Sequence, residues 1–253
     1  MTDTQRTQPA LRGSPRIAGN LQVNPNPPVI ATDRVLNAPS FQLKAPIAPG
    51  ALVSIFGSKL ATEMAGTVGL IAGRPLPLLF TSDLQVNAMI PYDLTTGVTH
   101  QMLIQRQRSI SLPEPVVIAP AQPAIFTKER TGKGQAIAVG VAPDGTQYLV
   151  EQDSPLQEGH AVVLYCAGLG PVSPSVPEGA AAPLEPLSQT SNPVTLTIGG
   201  AEATVLFAGL APGFAGLYQV NALVPAGIEK GPEVPVILSL ASQPSPPVTL
   251  PVQ

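Results

Sequence analysis

Gln85-Val86-Asn87-Ala88-Met89-Ile90-Pro91 recurs as Gln219-Val220-Asn221-Ala222-Leu223-Val224-Pro225, and the reading of these two heptapeptides decides the fold. Successive side chains of a strand point to opposite faces. At that period Tyr218, Val220, Ala222 and Val224 share one side, while Leu217, Gln219, Asn221 and Leu223 share the other. Leu84, Val86, Ala88 and Ile90 form the equivalent apolar side of the first copy. Each copy reads as a half-buried strand with Gln and Asn on the face turned away from the core. Those amides are expected to bond to backbone in a neighbouring loop, as polar groups near a sheet must. The alternative is a polar row facing a ligand.

Outward from these strands the repetition continues. The segment from Ile71 to Phe80 aligns without a gap on that from Ile198 to Phe207, and the segment from Gly50 to Phe56 on that from Gly159 to Tyr165. Three blocks in the same order mark an internal repeat. The remaining apolar signal is short runs of period two bounded by Gly and Pro, which means strands. They fall at 51–57, 68–72, 75–80, 84–90, 99–105 and 114–119, then at 135–141, 146–150, 161–167, 194–198, 201–207, 217–224, 234–240 and 247–252. Pro143-Asp144-Gly145 reads as a hairpin turn between two of them. Six to eight short strands per unit match the size of an immunoglobulin-like sandwich. The expected architecture is all-β: two tandem immunoglobulin-like β-sandwich modules, 37–120 and 121–253, after a disordered N-terminal segment, 1–36. That segment holds Pro9, Pro15, Pro25, Pro27 and Pro28 and shows no periodicity.

Composition supports this and excludes several classes. The 253 residues include 31 Pro and 23 Gly, a density that breaks helices yet stays below the range of low-complexity disorder. Apolar residues make up 44%, enough for one or two cores, and charged residues only 11%. A net charge of −3 lacks the basic footprint of a nucleic-acid binder. No apolar run reaches the roughly 18 residues of a membrane-spanning helix, and Met1 to Leu36 carries no signal-peptide core. The single Cys166, inside an apolar run, reads as a small buried hydrophobe.

Gly168-Leu169-Gly170-Pro171-Val172-Ser173-Pro174, the Pro177–Pro183 and Pro186–Ser188 blocks and the run from Phe207 to Asn221 resemble the Solibacter-type uncharacterised C-terminal domain. Asn37 to Phe41, Ala48 to Gly57 and Pro123 to Phe126 are similar to its opening and middle segments, so the resemblance spans 37–253. It implies an Ig-like unit that ends large exported bacterial proteins and has no assigned activity. It also implies an extracellular or cell-envelope location. Between Leu60 and Ile71 a Pro/Leu-rich stretch usual in the family is missing, so a strand of the first module is expected to be missing or shortened.

No nucleophile elbow, P-loop, zinc-protease or EF-hand spacing is present. His100 and His160 stand alone, His160 at a strand edge, and the carboxylates are scattered singly through turns. The expected function is a non-catalytic stalk, spacer or adhesion module, with no cofactor and no metal. Its expected partner is a protein or polysaccharide at the cell envelope, with neither nucleic-acid binding nor membrane insertion. A carbohydrate-binding module is the first alternative, for which Phe41, Phe126, Tyr148, Phe214 and Tyr218 are the aromatics to inspect. A hydrolase built on a buried carboxylate pair or a Ser–His contact is the second. The candidate interaction residues are Leu210, Phe214 and Tyr218, in a connection that is seven residues longer than its counterpart Thr81 to Leu84. Long loops on a sandwich commonly carry recognition. The competing account has Leu210 and Phe214 plugging one end of the core, in which case Phe214→Ala costs a few kcal/mol.

Overall fold

Every regular element among residues 26–253, which the computed structural model describes, is a β-strand. The first 4-stranded sheet has the order Val29–Asn37, Leu52–Ser58, Gln85–Met89, Leu78–Thr81. A 5-stranded sheet joins Arg74–Pro75, Thr67–Ile71, Val98–Arg106 and Ser109–Ile110, with Glu114–Ile118 also on Val98–Arg106. The other strands form a 12-stranded sheet. Its path runs from Gln147–Leu149 through Ala138–Val141, Ala161–Ala167, Tyr218–Leu223, Ala201–Leu210, Val194–Ile198 and Gly231–Leu240 to Gln243–Pro244. One apolar cluster gathers residues between Ile30 and Ile118, and a second gathers residues between Ala121 and Val252. Val86 and Ala88 lie in the first, Val220 and Ala222 in the second, all fully buried, so the apolar face falls where alternation puts it. Leu84 departs from that face. It precedes the strand, outside the ladder, and is 62% exposed.

The hydrogen-bond register itself occurs twice. Val53 faces Ala88 and Ile55 faces Val86, as Val162 faces Ala222 and Leu164 faces Val220. Ile71 closes a two-residue turn onto Arg74, as Ile198 does onto Ala201. The turn residues Ala72, Gly73, Gly199 and Gly200 all have positive φ, the conformation that matches the twist of flanking strands. The register slips between Leu78 and Phe80, and again between Val205 and Phe207, which leaves Leu79 and Leu206 as outward-facing extra residues. Ser111 Oγ accepts from the Ile104 amide at 3.0 Å and Ser245 Oγ from the Leu238 amide at 3.1 Å. Ile47 bridges Ile118 in parallel, as Leu156 bridges Val252. Bulges and side-chain clips at matching positions follow when one strand pattern, with its fixed inward face, is laid down twice.

The N-terminal boundary needs correction. Residues 29–36, placed in the disordered lead by their sequence, belong to the Val29–Asn37 strand, with Ile30 and Val35 buried and Leu36 2% exposed. Ile30 pairs with Gly57 and Val35 with Ile55, with a register break between them. In the second copy the same places are taken by two separate strands: Ile125 pairs with Cys166, and Ala138 with Leu164. The break hides the strand from a period-two reading, because Asp33, with a φ of 58°, reverses the alternation midway. Residues 1–25 of the expected lead lie outside the described residues. The expected shortening also falls elsewhere. Thr67–Ile71 is present, whereas the counterpart of the ten-residue Ala201–Leu210 strand is split into Arg74–Pro75 and Leu78–Thr81. Pro75 and Pro77 lack the amide hydrogens that a continuous ladder would use.

The Pro143-Asp144-Gly145 turn forms as expected, with the Thr146 amide donating to Asp144 Oδ1 at 2.9 Å and the Gly145 amide to Ala142 O at 2.9 Å. Cys166 is fully buried, and burial pushes its thiol pKa far up, which leaves it a neutral packing group.

Candidate functional site

The expected interaction loop is dismantled by its own burial. Leu210 is the last residue of a strand and 1% exposed, and Tyr218 is the first residue of the next and 0% exposed. Neither can meet a partner at the surface. The loop proper is 211–217, and only Phe214, at 57% exposure, projects from it. Its backbone is tied to the other long connection: the Ala182 amide donates to Phe214 O at 3.0 Å and the Gly213 amide to Ala182 O at 2.8 Å. The plug account holds for Leu210 and fails for Phe214. With so much of its side chain in solvent, Phe214→Ala is expected to change stability by less than about 1 kcal/mol in a thermal melt.

Tyr218 instead belongs to the junction of the two apolar clusters. Its hydroxyl donates to Gly170 O at 2.5 Å. Tyr92, from just beyond the first Gln-Val-Asn strand, lies against it, and Gly50 makes room for both rings: a Cβ there would stand 2.3 Å from Tyr92 and 2.8 Å from the Tyr218 hydroxyl. Burial pushes both phenol pKa values up, that of Tyr218 well up. The buried Asn37 donates from Nδ2 to Gln122 O at 2.9 Å and to Gln122 Oε1 at 2.6 Å. Arg74 pairs with Asp93 and, at 3.0 Å, with Glu178. At Gly216 the 211–217 loop approaches Leu52 so closely that a Cβ would lie 2.8 Å from it. The chain crosses from one cluster to the other along a clamp centred on the buried Tyr218 and Asn37.

Beside that clamp lies a cleft of about 350 Å³, lined from both sides. Ala38, Pro39, Phe41, Ser54, Gln85 and Asn87 come from the N-terminal half, and Phe126, Thr127, Arg130 and Ile137 from the C-terminal half. The volume is that of an ordinary small-molecule site. Phe41 packs on Phe56 with ring centroids 6.2 Å apart. The expectation that the amides bond to loop backbone is corrected here, since Gln85 Nε2 donates to Asn87 Oδ1 at 2.7 Å and the pair faces the cleft. No acidic side chain lines the cleft, and among the described residues Arg130 makes no ion pair. The neighbouring Lys128 is occupied by Glu151. Thr127 Oγ1 is buried without a partner. Of the aromatics singled out by sequence, Phe41 and Phe126 are brought together here; Tyr148, Phe214 and Tyr218 are not. Arg130 and Thr127 carried no sequence signal, because they enter the cleft from a turn of the opposite half.

Among the described residues neither histidine hydrogen-bonds to a serine. Tyr148 and His160 Nδ1 share a hydrogen bond of 2.9 Å, so His160 is half-buried and partnered rather than a fully solvated edge residue. His100 Nε2 meets Thr95 O at 2.8 Å. Among the described residues no group of three or more His, Cys, Asp or Glu is placed to hold a metal ion, and no helix is long and apolar enough to cross a membrane.

No family model matches the chain, and no curated protein matches it. Among solved structures it is similar to a surface glycan-binding protein from Prevotella bryantii, at 10% identity and TM-score 0.31, over 87% of this chain and 41% of that one. It is also similar to a Bacteroides ovatus glycan-binding protein of a mixed-linkage glucan utilization locus, solved with a mixed-linkage heptasaccharide, at 11% identity and TM-score 0.38, over 89% and 45%. A third is domains 5-6 of the S-layer protein SbsC, at 12% identity and TM-score 0.28, over 89% and 98%. The chain spans less than half the length of the two glycan-binding proteins. TM-scores this low tie it to none of the three in function.

Proposed function

We propose that the chain is a non-catalytic pair of tandem Ig-like sandwiches, of the Solibacter type, in an exported or cell-surface bacterial protein, where it acts as a rigid spacer or adhesion element. The observation that carries this reading is the buried clamp joining two copies of one ladder. The buried Tyr218 against the half-buried Tyr92 over Gly50 on one side, and the buried Asn37 bonded to the half-buried Gln122 on the other, hold the copies together. A flexible hinge would be an exposed polar or Gly-rich linker. Here the connecting residues 119–123 contribute to the clamp itself, through Gln122.

The test is scanning calorimetry of the full chain, paired with protease shaving of cells that express the tagged protein. The expected result is one cooperative transition that Asn37→Ala divides into two, and loss of the tag from intact cells. Two independent transitions in the parent chain, or a tag protected until lysis, would reject the reading. A second reading, carbohydrate binding, is favoured by one observation, the cleft in which Phe41 and Phe126 converge with the Gln85–Asn87 amide pair. A hydrolase gains no comparable feature.

A further inference from the structure

We infer that the cleft between the two halves is a binding site for an anionic sugar, a pyranose ring that carries a carboxylate. The inference deepens the carbohydrate reading and rests on it, not on the spacer role. Three kinds of group meet in the cleft, and each answers a different part of such a ligand. Phe41 and Phe126 offer aromatic faces, whose negative quadrupole attracts the polarised C–H bonds on one side of a sugar ring. Gln85 and Asn87 are already bonded to each other through one donor and one acceptor. That leaves the Gln85 carbonyl and the Asn87 amino group to engage adjacent hydroxyls, which both donate and accept. Ser54, across the ladder from Asn87, adds a hydroxyl.

Arg130 decides the charge. It lines the cleft without an ion pair among the described residues, and no carboxylate opposes it there. A guanidinium presents two parallel donors matched to a carboxylate. A phosphate-bearing ligand fits less well, since such sites draw on several cations or a nest of backbone amides. The net charge of −3 also argues against a nucleic-acid strand. Further, Phe41 and Arg130 both hold left-handed backbone, with φ of 49° and 54°, a conformation that non-glycine residues adopt at some cost. The two residues that carry the stacking face and the charge are thus set by the backbone before any ligand arrives. Thr127, 2% exposed, leaves its hydroxyl oxygen unpartnered in the wall of the same cleft.

The full chain should be titrated with tetragalacturonate and, as the neutral counterpart, the galactotetraose of the same linkage, following backbone amide resonances by NMR. Tetragalacturonate is expected to shift resonances of Gln85, Asn87 and Phe126 and to bind about tenfold more tightly than galactotetraose, the ratio that one charge-assisted contact supplies. Arg130→Gln should erase that preference without lowering the melting temperature. Phe41→Asn, chosen because Asn tolerates the left-handed backbone, should weaken binding of both sugars. Equal binding of both sugars, or a preference indifferent to Arg130→Gln, overturns the inference. So does the absence of shifts at the cleft with either sugar. A chain that melts in one transition and is exposed on cells, yet gives no shifts, overturns this site and leaves the spacer reading standing.

Discussion

Tyr218→Ala is expected to cost the chain about 3–5 kcal/mol of stability, the range for removing a large buried aromatic. The ring is 0% exposed, its hydroxyl donates to Gly170 O, and it packs where Tyr92 and Gly50 meet it from the N-terminal half. Two losses therefore add: a cavity in the second core and a gap in the clamp. Tyr218→Phe separates them. It keeps the packing and leaves Gly170 O without its donor, an expected loss of about 1–3 kcal/mol. Urea unfolding followed by far-ultraviolet circular dichroism measures both, a suitable probe because the chain has no Trp. Unchanged stability in Tyr218→Ala would return this residue to the surface role that sequence suggested for it.

Deleting residues 1–37 should be as damaging, where a disordered lead would have allowed its loss without effect. The deletion removes the Val29–Asn37 strand and with it the ladder partner of Leu52–Ser58. It also withdraws Ile30 and Val35 from the first cluster, removes the buried Leu36 and takes Asn37 from Gln122. At about 1.5–3 kcal/mol for each apolar side chain buried, the loss amounts to roughly 5 kcal/mol or more. That approaches the whole stability of a typical domain. Limited proteolysis is the direct measurement. The expected outcome is rapid cleavage between 38 and 118 while 121–253 survives. A truncated chain that resists protease as the parent does would show that this strand is dispensable.

The contrast between these two segments shows what could be read ahead of the structure. Val220 and Ala222 announced their burial because alternation is a local property: one residue's face dictates the next, whatever the strand packs against. The same logic located the repeat, since Ile71 and Ile198 open turns of the same length onto Arg74 and Ala201. It failed over 29–36, where a bulge at Asp33 reverses the faces and no nearby strand of the same pattern exists for comparison. At Tyr218 alternation pointed inward, with Val220, and the reading of it as an interaction residue came from the connection before it. Length and Gly content marked the connection before it as a loop, but strand pairing extends to Leu210 on one side and Tyr218 on the other.

By itself, then, the sequence determined most of the strands, the internal repeat and the side of each central strand that turns inward, because hydrophobic period and turn chemistry act over a few residues. Tertiary structure alone decided the clamp and the cleft. Phe41 and Phe126, or Asn87 and Arg130, lie far apart along the chain and meet only when the two halves are apposed. Whether an aromatic becomes core, like Tyr218, or cleft wall, like Phe41, depends on what the opposite half places over it, and no local pattern encodes a neighbour that distant.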